Sequence, residues 1–223
     1  MKNSKLWIGI VCTFLLSVTG FAQAPVVPRE APQSSPYQRY TTYQVTFRYG
    51  LFKPQSGLSD YIDDMGTRNY SLAGEWVLNK SFAFGAQYTS NYFQKRLPRQ
   101  VYETTSGAQI SAVQTKTFSI QSLQATGKYY FADVTAIVRP YVQAGVGIAY
   151  ADYTYYLGSL EGDSQGKFNF AAQAAIGTRV LFGRESHFGL DLQLNYQHIP
   201  FSYNEVSNAG IAGGWVGIFY RWW

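Results

Sequence analysis

Five charged residues stand out by their spacing: Glu75, Lys128, Arg179 and Asp191, with Arg48 somewhat further along its segment. Each of the first four lies a similar short distance from a tight connection, inside a segment that otherwise alternates apolar and polar residues. Equal distances imply equal depth if those segments are the walls of one structure. Carboxylates facing guanidinium and ammonium groups at one depth must pair, because an unpaired charge taken out of water is very costly. The set therefore reads as a salt-bridged layer that holds a structure closed, or as a gate that opens to ions. Arg139 would lie lower than the layer, and Arg221 joins it if Trp222 faces outward.

The remaining chemistry-bearing residues are sparse. His187 stands at a turn and His198 near a segment end, too far apart in sequence to pair in a zinc motif, and the only cysteine is Cys12. Asp60, Asp63 and Asp64 lack the glycine and glutamate of a calcium loop. Gly145 and Gly147 fall in mid-segment, where small residues relieve crowding and cradle no phosphate. Lys95, Arg96 and Arg99 could meet lipopolysaccharide phosphates or form a solvated loop. No cofactor and no metal site is read from the chain.

The elements that must position these residues are strands. From about Thr41 onward the hydrophobic period is two. Eight segments follow, at about 41–52, 69–79, 82–93, 116–131, 138–153, 167–182, 187–199 and 209–222. In the seventh, Phe188, Leu190, Leu192, Leu194 and Tyr196 alternate with Gly189, Asp191, Gln193 and Asn195. The fourth breaks the pattern, because Phe118 and Ile120 have the opposite parity to Leu123 and Tyr129. A bulge near Ser122 would reconcile them, and so would two inward apolar residues near a mouth. The connections alternate between long and polar (53–68, 94–115, 154–166, 200–208) and short (79–81, 132–137, 183–186). Long loops on one rim and short turns on the other are the outer-membrane pattern, with both termini on the periplasmic side.

Composition agrees. Aromatic residues make up 17% of the chain, with 19 Tyr and 21 Gly, and few residues are charged. Lys2 and Lys5, an apolar run from Leu6 to Val18, and Ala22–Gln23–Ala24 have the form of a secretory leader. Residues 1–24 are thus read as a cleaved signal peptide, 25–40 as a flexible periplasmic extension rich in Pro, Gln and Ser, and 41–223 as the barrel. Without the leader the chain has no cysteine, and 16 basic against 13 acidic residues leave a charge of +3, too mild to argue for nucleic acid.

Period two alone does not say which face meets lipid, since a secreted soluble barrel shares it. Strand length, and aromatics such as Tyr43, Tyr70, Phe82 and Tyr196 near strand ends on the apolar face, favour lipid outside and a polar lumen. Lys128–Tyr129–Tyr130–Phe131, a short turn, and the run from Arg139 through Pro140 and Tyr141 to Gly147 resemble the fourth-to-fifth strand hairpin of the small OmpA/OmpX/OmpW-like outer-membrane barrels. The ending Gly217–Ile218–Phe219–Tyr220–Arg221–Trp222 resembles their C-terminal insertion signal, with Tyr220 and Trp222 at the aromatic spacing and Trp223 as an extra residue.

The resemblance implies an all-β, eight-stranded antiparallel up-and-down transmembrane barrel in the cell outer membrane. Its partners would be outer-membrane lipids, lipopolysaccharide and the barrel-insertion machinery. The expected molecule is a monomer and not an enzyme, with a structural or surface-interaction role; a narrow channel for ions or small apolar solutes is the alternative. The stretch from His198 through Ser202, Glu205 and Ser207 to Gly210 also faintly resembles the lipid A deacylases. Their serine lies two residues after the histidine, where this chain has Pro200, so a hydrolase stands as a second alternative.

Overall fold

The computed structural model describes residues 35–39, 41–78, 81–103, 109–158, 160–204 and 206–223. The leader and residues 25–34 lie outside them, as do Asn79 and Lys80 of one short turn. Eight strands are present: β1 (Thr42–Ser56), β2 (Gly66–Val77), β3 (Phe82–Glu103), β4 (Gln109–Tyr130), β5 (Val138–Leu157), β6 (Leu160–Leu181), β7 (Phe188–Tyr203) and β8 (Val206–Trp222). They form one closed antiparallel barrel in sequence order, with β8 returning to β1. Two four-residue helices are added, α1 (Pro36–Arg39) and α2 (Leu58–Tyr61).

Strict alternation builds the wall. Tyr43, Val45, Phe47, Tyr49 and Leu51 are exposed on the outside of β1, while Gln44, Thr46 and Arg48 are buried inside. Exposed aromatics pair across strands at both ends of the apolar band. Tyr43 stacks on Trp222 at 5.8 Å and Phe82 meets Tyr129 at 4.9 Å on the turn side, and Tyr150 meets Phe168 at 5.0 Å on the other. Such cross-strand pairs stabilise a sheet by about 0.2–1 kcal/mol each. Two bands of rings around an apolar belt are the lipid-facing surface of a transmembrane barrel.

The fourth strand resolves without a bulge at Ser122. Its register with β3 is unbroken from Phe93↔Phe118 to Phe82↔Tyr129, and Phe118 and Ile120 point inward, fully buried. The parity break marks the change from a polar lumen to an apolar one near the outer mouth.

The long loops are a correction. Much of 94–115, 154–166 and 200–208 is strand: β3 pairs with β4 as far as Glu103↔Gln109, and β5 with β6 as far as Leu157↔Leu160. A strand needs about 9–11 residues to cross a bilayer, and β3, β4 and β6 have 22 each and β5 has 20. About half of each therefore stands above the membrane. There neither face meets lipid, so the alternation that marks a strand in sequence disappears while the backbone ladder continues.

Two glycines of β8 make room for the largest lumen side chains. A Cβ on Gly217 would lie 2.2 Å from the Phe47 carbonyl oxygen and 2.7 Å from Arg48 Cγ; one on Gly213 would meet the Phe52 ring at 2.6 Å. Arg48 and Phe52 thus lie across the bare backbone at the β1–β8 seam that closes the barrel.

The connection from β1 to β2 carries α2, whose Leu58 and Tyr61 are buried in the outer mouth with Ile62 just after them. Asp63 follows, and Lys95 Nζ of β3 donates to its Oδ1 at 2.6 Å. That hydrogen bond, with one from its own backbone, holds the exposed Asp63 carboxyl below the ordinary carboxylate range.

Two outcomes follow from this packing. Gly217→Val overfills the seam, and overpacking costs about 1–3 kcal/mol; the fraction of protein running as the compact form on an unheated gel should fall. Lys95→Ala should move the Asp63 carboxyl titration, followed by NMR, up into the ordinary range. Because Asp63 is depressed when folded, its contribution is present above the unfolded pKa and is lost as pH falls through the folded one. The variant should therefore lose the acid-side part of the wild-type pH dependence of mouth ordering.

Candidate functional site

The lumen is filled in three layers. The lowest is ionic. Lys128 Nζ donates to Glu75 Oε1 at 2.5 Å and Arg179 Nη2 to Glu75 Oε2 at 2.9 Å. Arg48 Nε donates to Asp191 Oδ2, and Arg179 Nε lies 3.4 Å from Asp191 Oδ1. Arg48 Nη2 stands 3.8 Å from Glu75 Oε1. All five side chains are buried, so Arg48, Glu75, Lys128, Arg179 and Asp191 are one contiguous cluster. Two tyrosines complete it: Tyr130 donates to Glu75 at 3.3 Å and Tyr141 to Asp191 at 2.9 Å. Their parity, opposite to lipid-facing Tyr129 and Val142, was the signal that could have placed them there.

Arg139 and Arg221 lie below this cluster, nearer the short turns. Arg139 Nε donates to the Ala132 carbonyl, with its guanidinium 3.7 Å from the Tyr130 ring. Arg221 points inward while Trp222 faces out, and it donates to the carbonyls of Val134, Arg184 and Ser186 in two short turns. Its other face is covered by the Tyr37 ring at 3.8 Å.

The end of the N-terminal extension is therefore docked. Tyr37 of α1 is 3% exposed, sits edge-on to Trp223 at 4.8 Å, and its hydroxyl lies 2.8 Å from His187 Nδ1. Burial raises the Tyr37 phenol above its ordinary range. A lone aromatic in a Pro, Gln and Ser context has no period to betray it; its partners come from the far end of the chain. Trp223, the extra terminal residue, stacks on His187 at 5.2 Å. Tyr220 and Trp222 both lie on the outer face.

The middle layer is made of amides. Gln143 Nε2 donates to Gln87 Oε1 at 2.8 Å, Gln193 Nε2 to Gln143 Oε1 at 3.0 Å, and Asn195 Nδ2 to Gln173 Oε1 at 3.0 Å. The top layer is an apolar cluster that includes Phe52, Phe93, Phe118, Phe201 and Trp215 under α2. Sequence parity places the glutamines inside, but it does not reveal that the mouth is lined by one apolar cluster.

Above the membrane the rim is uneven. β2 pairs with β3 no higher than Tyr70↔Ser90, and β6 with β7 no higher than Ala172↔His198. β3 to β6 thus rise as a four-stranded sheet beside a lower rim. Pro200, which has no N–H, lies two residues past the last β6–β7 pair, and β7 shifts register against β8 between Ile199 and Ser202. Across the resulting split Tyr203 Oη and Asn204 Nδ2 both donate to Asp163 Oδ2, at 2.8 Å and 2.9 Å. The bond to Asp163 raises the Tyr203 phenol.

His198 sits half-buried with outward parity, opposite Gly210. Ser207 pairs with Ser202 instead, three positions along β8 from Gly210, or roughly 10 Å at strand rise. Glu205 lies outside the described residues. A concavity of about 740 Å³ on the neighbouring wall is lined by Val142, Ala174, Leu194 and Tyr196 among others, and neither His198 nor a serine lines it. Lys95 is used by Asp63, and Arg96 and Arg99, on either side of a register shift in β3, are exposed.

No family model matches the chain, and no curated protein matches it. Solved structures do. Neisserial surface protein A is 16% identical, with 82% of this chain covering 97% of that one at a TM-score of 0.54. Ail, the attachment invasion locus protein of Yersinia pestis, is 11% identical over 82% of this chain and 97% of its own, at 0.48. The outer membrane enzyme PagL is 18% identical over 80% and 97%, at 0.37. These are outer-membrane proteins of different roles, and at such identities the likeness is one of fold alone. With eight antiparallel strands in up-and-down order around a filled polar lumen, the chain has the fold of the small outer-membrane β-barrels.

Proposed function

We propose that the protein is a non-enzymatic, non-conducting barrel of the outer membrane that works through what it presents outside the cell, in envelope integrity or surface interaction. The supporting observation is the lumen. Its ionic, amide and aromatic layers leave the interior occupied by side chains from the short turns to α2. An eight-stranded barrel is just wide enough for its own side chains, and here the side chains are bonded to one another. The raised sheet of β3 to β6 is the largest surface offered to the outside. The hydrolase alternative finds no support around His198, whose cross-strand neighbours are Ala172 and Gly210.

In this reading the chain is exported with residues 1–24 as a leader that is removed, and Tyr220 and Trp222 are read by the insertion machinery. It then stands as a monomer among outer-membrane lipids and lipopolysaccharide, whose phosphates Arg96 and Arg99 can reach.

Protein recovered from the outer-membrane fraction, with the mass of residues 25–223, should give no steady conductance in planar bilayers. Glu75→Ala leaves Arg48, Lys128 and Arg179 without a shared carboxylate. Breaking a buried pair costs about 3–5 kcal/mol, to be read from denaturant unfolding. A steady wild-type conductance that changes on Glu75→Ala or Arg179→Ala would replace the closed barrel with a gated channel. His198→Ala should leave the lipid A profile of expressing cells unchanged, and a change that tracks this substitution would make the protein a hydrolase.

A further inference from the structure

We propose that the lumen binds a small monovalent anion of the halide class between Arg48 and the inner wall formed by β1 to β4. Two independent features of the ionic layer point there. The first is its charge: Arg48, Lys128 and Arg179 bring three positive charges, and Glu75 and Asp191 bring two negative ones, all out of water. A surplus charge in a low-dielectric interior is expensive unless something opposite in sign accompanies it.

The second feature is a set of donors with nothing to donate to. Arg48 is fully buried, and neither its Nη1 nor its Nη2 makes a hydrogen bond; Glu75 Oε1 stands 3.8 Å from Nη2, beyond hydrogen-bond reach. Arg179 Nη1 is likewise unpaired. Ser71 stands directly opposite Arg48 in the β1–β2 ladder, and its buried hydroxyl has no partner. On the next two strands Gln87 and Gln124 face each other, and the Nε2 of each is unpaired, as is Gln124 Oε1. The two unpaired Nη groups of Arg48, with the unpaired Ser71 hydroxyl on the neighbouring strand, are N–H and O–H donors of the kind that make an anion's coordination shell.

Loss of a proton from Lys128 would cancel the surplus charge but leave both Arg48 Nη groups as they are. A water molecule would accept from Arg48 but bring no charge. A monatomic anion does both. The side chains of β2 beside Arg48 are the short Ser71 and Ala73, and the lumen is otherwise filled, so the site suits a halide and excludes bulky oxyanions. The anion's position ties Arg48 of β1 to Ser71 of β2 above the Glu75 bonds.

The test is refolding of the full mature chain from denaturant into detergent with sodium bromide, sodium chloride or sodium gluconate at equal ionic strength. Crystals grown from the bromide sample should show an anomalous peak inside the lumen beside Arg48 and Ser71. The thermal midpoint should be higher in bromide or chloride than in gluconate by about 5 °C. Ser71→Asp supplies the missing negative charge from the protein itself, so this variant should lose the dependence on halide. Absence of a lumenal bromide peak overturns the proposal, as do equal wild-type midpoints in all three salts. If Ser71→Asp does not fold, the wild-type bromide map decides alone.

Discussion

Glu75 takes hydrogen bonds from Lys128, Arg179 and Tyr130 and faces Arg48, which is bonded in turn to Asp191. These residues come from β1, β2, β4, β6 and β7, and Tyr141 adds β5. One cluster thus links six of eight strands at a single depth. Because side chains alternate at every residue, a slip of one position would turn Arg48 or Asp191 toward lipid and leave the remaining charges unpaired inside. The cost of that error is far larger than any pair energy gained by it, so the cluster acts chiefly as a register lock.

A lock of this kind is needed because the exterior cannot supply one. Lipid tails are as apolar as the Leu, Val and Phe side chains that face them, so burying the belt within the bilayer does little to choose among registers. Backbone hydrogen bonds are made in any register of a closed barrel. Specificity falls to the interior, where Gln143 fits Gln87 and Asp191 fits Arg48, and to the bare backbone at Gly213 and Gly217 on which Phe52 and Arg48 lie. The same filling that fixes register occupies the lumen, so tightness and closure have one cause.

How much of this is legible in the sequence follows from which solvent each residue meets. Within the membrane the two faces of a strand meet lipid and lumen, and the alternation of Phe188 to Tyr196 with Gly189 to Asn195 reads directly as a wall. Above the membrane both faces meet water or protein, so Gln94 to Glu103 and Leu160 to Gly166 look like loops although they pair as strands. Equal depth for Glu75, Lys128, Arg179 and Asp191 is readable from their distance to the turns. Their partners are not, because closing the ring is what decides that Arg179 reaches back to Glu75 across the lumen. Tyr37 is the extreme case, buried by His187, Arg221 and Trp223 from the other end of the chain.

The uneven outer rim then has a physical origin. On β3 to β6 the ladder runs on past the membrane, across a register shift between Arg96 and Arg99 that leaves Pro98 out of the pairing. On β7, Pro200 withholds an N–H just past the last pair with β6, and the register shift beside it turns the strand toward β8. The two sides part, and Asp163 spans the split with side-chain bonds to Tyr203 and Asn204 where backbone bonds have ended. Below the split the aromatic cluster around Phe118 and Phe201 needs no wall of backbone to exclude water, since α2 and the ring stack of Tyr61 on Tyr153 close it from above. Side chains thus cover the lumen at the level where the sheet opens, and the raised strands stand above that cover.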